Sequence, residues 1–212
     1  MFLHRLHLNQ RCREARRDLA DPYEMHSTLC RAFTTPEQKC PPGEVLWRLE
    51  PETDPKGNPR VLVQSRSTPD WSRIGIKDWF AYDPDPPIDL ADRLKLDSLS
   101  IGQRFRYRLR ANPSKTDIRN GKRLGLLRLE DQEKWLTRKG KNHGFSLVSI
   151  HVSEERMAHG DKRNGGAIHA FSVLFDGILA ITEPGKFNAA VNSGIGRGKA
   201  MGLGLFSVVP IP

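Results

Sequence analysis

Residues 19–33 read "LADPYEMHSTLCRAF", and the first six positions carry the start signals of a helix. Asp21 can cap the exposed N–H groups, Pro22 fits a first-turn position whose N–H has no partner anyway, and Glu24 stands in the first turn as in a capping box. The expected helix runs from Pro22 to about Phe33. Upstream, "FLHRLHL" at 2–8 has the length of a strand. Downstream, "EVLWRLEP" at 44–51 and "PRVLVQSRS" at 59–67 read as two strands joined by the turn-rich "ETDPKGN", which is a hairpin signal. Strand, helix and hairpin in that order open a ferredoxin-like βαββαβ unit.

The pattern then closes and restarts. Residues 69–87, "PDWSRIGIKDWFAYDPDPP", hold four prolines and lead into a polar stretch, which suggests the end of a domain and a linker. Further on, "QRFRYRLRAN" reads as a strand, "LEDQEKWLTRKGK" as a helix and "GFSLVSIHVS" as a strand. "AIHAFSVLFDGILAITEP" reads as a hairpin turning at Asp176-Gly177, "EPGKFNAAVNSG" as a short helix and "LGLFSVVPIP" as a strand. The expectation is an α+β chain of two tandem ferredoxin-like, RRM-like βαββαβ domains, at 1–90 and 103–212, with a linker at 91–102. No sequence repeat relates the two halves.

Composition narrows the partners. The 212 residues include 34 Lys and Arg against 25 Asp and Glu, a net charge of +9, in a chain that is 37% hydrophobic. A folded protein with a polyanionic partner is the natural inference. Cys12, Cys30 and Cys40 are odd in number and form no C-x-x-C pair, which argues against a disulfide framework or zinc site and for a reduced, cytoplasmic setting. "MFLHRLHLNQ" is too short and too interrupted for a signal sequence, and no run of about 18 apolar residues offers a membrane span. The seven histidines show no H-E-x-x-H or comparable ligand spacing, so neither metal nor cofactor is expected.

Two basic elements locate the charge. Arg104, Arg106, Arg108 and Arg110 alternate with Phe105, Tyr107 and Leu109, so on a strand the guanidinium groups share one face and the apolar groups the other. Lys115, Arg119, Lys122 and Arg123 extend this element. Guanidinium forks grip phosphate, whereas the plainer reading is a solvated edge strand protected by its charge. The second element, "SGIGRGKAMGLG" at 193–204, is glycine-rich and basic. It is not a Walker A loop, because Ser193 and Ala200 stand where glycine and Ser or Thr are needed. It is not a dinucleotide loop either, because Lys199 takes the third glycine position of G-x-G-x-x-G.

Tyr23 and His26, three apart on the expected helix, share one face near its N-terminus. At about 100° per residue, Met25, Leu29, Ala32 and Phe33 form a core stripe, with Tyr23, His26 and Cys30 on its flank. "RRDLADPYEMHSTL", "LWRLEP", "VLVQS", "FRYRLRANPSK" and "GIGRGKAMGLGLFSV" together, in this order, resemble the CasE family of CRISPR-associated endoribonucleases. The resemblance implies a metal-independent enzyme of two tandem ferredoxin-like domains. It would cut CRISPR precursor RNA within each repeat, 3′ of the stem-loop, and stay in the Cascade complex with other subunits and the processed RNA.

It further implies that Tyr23 and His26 form the active site and that Gly194, Gly196, Arg197, Gly198 and Lys199 contact RNA. Within "VSEERMAHGDKRNGGAI" at 152–168, Arg156, Lys162 and Arg163 are carried over as basic residues facing the RNA stem. Attack by a neighbouring 2′-OH needs a proton removed from that hydroxyl and one delivered to the 5′ oxygen, which His can mediate near neutral pH while Tyr orients. The expected ends are a 2′,3′-cyclic phosphate and a 5′-OH. The rivals are a non-catalytic RRM-like RNA-binding subunit and a phosphate-binding metabolic enzyme using the glycine loop.

Overall fold

The structure is a computed structural model that describes residues 1–35, 37–119, 121–161 and 167–211. The chain forms two compact units. One gathers Met1–Arg93, His159–Ile168 and Lys199–Gly202, and the other gathers Leu94–Ala158, His169–Gly198 and Leu203–Pro212.

The first unit begins with β1 (Phe2–His7), α1 (Arg13–Ala20) and α2 (Pro22–Cys30), and α2 tightens into a 3-10 turn at Arg31–Phe33. The hairpin of β2 (Val45–Thr53) and β3 (Pro59–Ser65) follows, then a 3-10 turn at Trp71–Ile74 and the short β4 (Ile88–Asp89). The sheet order is β2-β3-β1-β4. In register, Leu6 faces Val61 and Val61 faces Leu49, so one face of the sheet carries apolar side chains in rows. Leu6, Val61, Val63, Trp47, Met25 and Leu29 meet in one core, each large apolar side chain contributing about 1.5–3 kcal/mol by leaving water.

Helix α1 has no counterpart among the sequence expectations. Its sequence, "REARRDLA", buries only Ala15 and Asp18, too few apolar positions to announce an amphipathic stripe. Asp18 is buried because Trp79 Nε1 donates to it at 2.9 Å and Arg17 Nη2 lies 2.6 Å away. Between β3 and β4 only the 3-10 turn stands where a βαββαβ unit would place its second helix.

The second unit is the fuller version. Residues 91–102, expected as a linker, include most of α3 (Leu90–Leu94) and a 3-10 turn at Leu96–Ser98, with Leu94 and Leu96 buried. Then come β5 (Arg104–Ala111), the small hairpin β6 (Ser114–Thr116) and β7 (Arg123–Gly125), and α4 (Leu129–Asn142). The long strands β8 (Phe145–Asp161) and β9 (Ala167–Ile181), α5 (Pro184–Ser193), a 3-10 turn at Lys199–Met201 and β10 (Phe206–Pro210) complete the chain. The main sheet has the order β10-β5-β9-β8. Counting only the strands of each four-stranded sheet along the chain, both sheets read 4-1-3-2, as two tandem ferredoxin-like units require.

The expected turn at Asp176-Gly177 does not form, and β9 runs straight through it. Asp176 faces Arg108 on β5 with a 2.8 Å ion pair, and Gly177 faces Tyr107. A methyl group on Gly177 would strike the carbonyl oxygen of Ser149. The glycine therefore answers a close approach of backbone within the sheet, not a reversal of the chain.

Candidate functional site

Helix α2 places Tyr23 and His26. The Asp21 carboxylate accepts from the Tyr23 backbone N–H at 2.8 Å, with Pro22 at the first helical position, so the helix starts where its sequence signals put it. Met25, Thr28 and Leu29 turn inward. Tyr23 and His26 remain half-buried on the flank. Cys30 Sγ lies 3.6 Å from His26 Nε2. Burial pulls the His26 pKa below its ordinary 6.5, because a charged imidazolium loses hydration there. The ring is therefore neutral, and able to accept a proton, at physiological pH.

Two distant segments return to this helix. The 3-10 turn Lys199–Met201 packs against α2 and β2. Gly202 holds it there, with φ +71° and a site where a methyl group would meet the Trp47 ring at 2.8 Å. Only glycine allows both that backbone conformation and that approach. Upstream, Gly194, Gly196 and Gly198 also take positive φ values of +70°, +91° and +82°. Arg197 is exposed and Lys199 half-exposed. The second segment is the end of β8. A methyl group on Gly160 would lie 3.1 Å from Met201 and 3.2 Å from Asp21 Oδ1, so this strand passes the start of α2. Arg156 is exposed on the same strand, whereas Lys162 and Arg163 lie outside the described residues.

The arginine ladder is not uniform. β5 lies between β10 and β9, which removes the edge-strand reading. Arg104 and Arg106 are exposed. Arg108 pairs with Asp176, and Arg110 is 2% exposed, with its Nη2 2.5 Å from Glu154 Oε2. Lys115, Arg119, Lys122 and Arg123 stand exposed on and around the β6–β7 hairpin. Alternation correctly puts the four guanidinium groups on one face, but it contains no information about the acids that neighbouring strands bring to two of them.

The sequence reading did not single out a hollow of about 610 Å³ lined by Arg31, Thr34, Thr35 and Arg73, just beyond the end of α2. Arg73 is far from the others in sequence and arrives with the 3-10 turn at Trp71–Ile74, so no local signal marks the group. Among the described residues, no three His, Cys, Asp or Glu side chains form a cluster able to hold a metal ion. Among them too, no helix is long and apolar enough to cross a membrane.

Comparison with known proteins agrees along the length of the chain. Residues 1–210 match the family model described as "CRISPR associated protein". The CRISPR-associated endoribonuclease Cse3 of Thermus thermophilus is 37% identical, covering 99% of this chain and 100% of the relative. The CRISPR system Cascade subunit CasE of Escherichia coli is 29% identical, covering 90% of this chain and 93% of the relative. The solved structure of Thermus thermophilus Cse3 bound to an RNA representing a pre-cleavage complex superposes with a TM-score of 0.82 at 35% identity, covering 99% of this chain and 98% of that one.

Proposed function

The chain belongs to the CRISPR-associated protein family, and from that premise we propose that its site cleaves CRISPR repeat RNA, as an endoribonuclease like the one for which the Thermus thermophilus relative is named. It is an endoribonuclease that processes CRISPR repeat RNA and serves as a Cascade subunit. Such a subunit works in the cytoplasm, where the transcript is. The observation that carries the site assignment is the packing of the Lys199 turn against the helix that bears Tyr23 and His26.

In the reaction, a ribose 2′-oxygen forms a bond to the scissile phosphorus and the bond to the 5′-oxygen breaks. His26, neutral because of its burial, takes the 2′-hydroxyl proton, and the protonated ring can return it to the leaving 5′-oxygen. Tyr23 orients the phosphate through its hydroxyl. Lys199 and the positive-φ glycines before it bring charge and close backbone to the RNA chain. Proton transfer supplies roughly 10²- to 10⁴-fold, and the remainder comes from holding the strand in line for attack. Arg104, Arg106 and the basic β6–β7 hairpin hold RNA backbone, and the hollow beside Arg31 and Arg73 has room for a nucleotide. The cut falls 3′ of the stem-loop, leaving a 2′,3′-cyclic phosphate and a 5′-OH, with no metal involved.

The test is a hairpin repeat RNA incubated with the protein in excess EDTA. One cut is expected, with a cyclic phosphate on the upstream fragment and no cleavage when the 2′-OH at the cut is replaced by hydrogen. A 3′-hydroxyl product, or dependence on added Mg²⁺, would reject the mechanism.

A further inference from the structure

Trp135 of α4 is buried, with its ring stacked on Phe175 at 6.2 Å between centroids and 14° between planes. Two basic elements meet at that fixed ring. Lys139, one turn further along the helix, holds its Nζ 5.6 Å from the ring centroid, and Arg138 stands exposed beside it. Gly196, in the glycine-rich loop, approaches the same indole, since a methyl group there would sit 3.6 Å from Cη2 of Trp135. Arg197 follows it in the chain and is exposed. All of these residues belong to the second compact unit.

The cluster gathers cations without acids. Among the described residues, Arg138, Lys139 and Arg197 form no ion pair. Burial, and after it the like charges of Arg138, Arg123 and Arg197, pull the Lys139 pKa below its ordinary 10.5. The helix macrodipole accounts for a cation in the last turn of α4, and Lys141 answers to it equally. It does not account for Arg197, which a loop distant in sequence brings to the same ring. Like charges held together raise the energy of the free protein, and a polyanion laid across them lowers it.

We propose that Arg138 and Lys139 form, with Arg197 beside the Trp135 ring, a phosphate-binding site that holds the backbone of the repeat RNA. The proposal rests on the chain being an enzyme that binds and cuts that RNA. Nothing in the sequence of α4 separates these two cations from Lys134 or Lys141; the returning loop does. A site built on phosphate fixes where the RNA lies and carries no information about its bases. The buried ring supplies the rigidity, because the helix and the loop both take their position from it.

The experiment measures binding of a hairpin repeat RNA by fluorescence anisotropy across a salt series, beside thermal melting of the RNA-free protein. Lys139→Met keeps an apolar stem on Trp135 and loses the charge, and Arg138→Gln loses its charge on the exposed helix face. Each should flatten the slope of log K against log salt by roughly 0.7 to 0.9, which is roughly a five- to eightfold loss of affinity at about 0.1 M salt, equally for a cognate and a scrambled stem. Each should melt within about 3 °C of wild type, because it relieves repulsion. Lys141→Gln removes the same charge about 200° round the helix, where the side chain lines the groove against β8, and should leave the slope unchanged. A wild-type slope in Lys139→Met overturns the site. So does an equal loss in Lys141→Gln, which would reduce the effect to net charge, or a larger fall in melting temperature in Lys139→Met, which would make the lysine a support for Trp135. If wild type neither binds nor cuts the hairpin, the function falls and the site with it; wild type that binds and cuts while the variants keep its slope rejects this site alone.

Discussion

At the scale of single residues, His26 and Tyr23 should separate. His26→Ala is expected to lower the cleavage rate at least tenfold, and by up to about 10⁴-fold, while RNA affinity stays near wild type, because a proton-transfer group acts chiefly on the transition state. Tyr23→Phe keeps the ring and loses only the hydroxyl, so it should slow the cut less. Single-turnover rates beside equilibrium binding measure both, and a reversed order of severity would exchange the two roles. The pH profile is a second check. A base works when unprotonated, and burial holds His26 below its ordinary 6.5. The rate should therefore climb at acidic pH and already be level at neutral pH. A midpoint above 6.5 would place the limiting base elsewhere.

At the scale of elements, β5 combines two jobs that its alternation does not distinguish. Arg106 is exposed and Arg110 is buried against Glu154. Arg106→Ala should leave thermal stability unchanged and make RNA binding less salt-dependent, by roughly 0.7 to 0.9 in the slope of log K against log salt for each lost phosphate contact. Arg110→Ala should instead cost about 2 kcal/mol of stability. That is less than a fully buried pair would lose, because Glu154 is 38% exposed and can rehydrate. Urea unfolding and binding at several salt concentrations, on both variants, give the two quantities. Equal stability of the two variants would contradict the assignment.

The β2–β3 turn makes a pH-dependent element. Asp54 accepts from the backbone N–H groups of Lys56 and Asn58 at 2.8 Å and from the Tyr82 hydroxyl, and it lies 3.4 Å from His7 Nδ1. Desolvation pushes the carboxyl up, and the hydrogen bonds, that of Tyr82 foremost, outweigh it and hold the pKa well below the usual carboxylate range. A group depressed in the folded state stabilises fully above its unfolded pKa of about 3.9, and that stabilisation is lost as pH falls through the lower folded value. Asp54→Asn should therefore flatten the acid limb of stability against pH. An acid limb unchanged from wild type would remove Asp54 as its source.

At the scale of the whole molecule, the first compact unit draws on chain from three places, Met1–Arg93, His159–Ile168 and Lys199–Gly202. The last of these covers Trp47 and part of α2. A fragment of residues 1–93 lacks that cover, so it should bind a hydrophobic dye and melt at lower temperature than the same unit does in the full chain. Supplying residues 194–212 as a separate peptide should not abolish the dye binding at micromolar concentration, because the covalent link provides a high effective concentration. A compact, dye-silent fragment would show that the returning turn is dispensable for folding and serves the RNA alone.

What the sequence determined by itself is what local chemistry dictates. Asp21 and Pro22 start α2 because capping and a missing N–H act within one turn. The alternation of Arg104 to Arg110 yields a strand because side chains on extended backbone change face at each residue. The spacing of Tyr23, His26 and Cys30 sets them on one flank because a helix repeats about every 3.6 residues. The tertiary structure alone decided whatever depended on a partner far along the chain. Asp176-Gly177 looks like a turn, yet it stays extended because Arg108 holds the aspartate and Ser149 presses on the glycine. Arg110 looks like Arg106 until Glu154 arrives from β8. Helix α1 forms around an aspartate that Trp79 secures. The glycine loop finds its place because Trp47 leaves no room for a side chain at Gly202. Each of these is a contact between residues tens of positions apart, and such contacts exist only after the chain has folded.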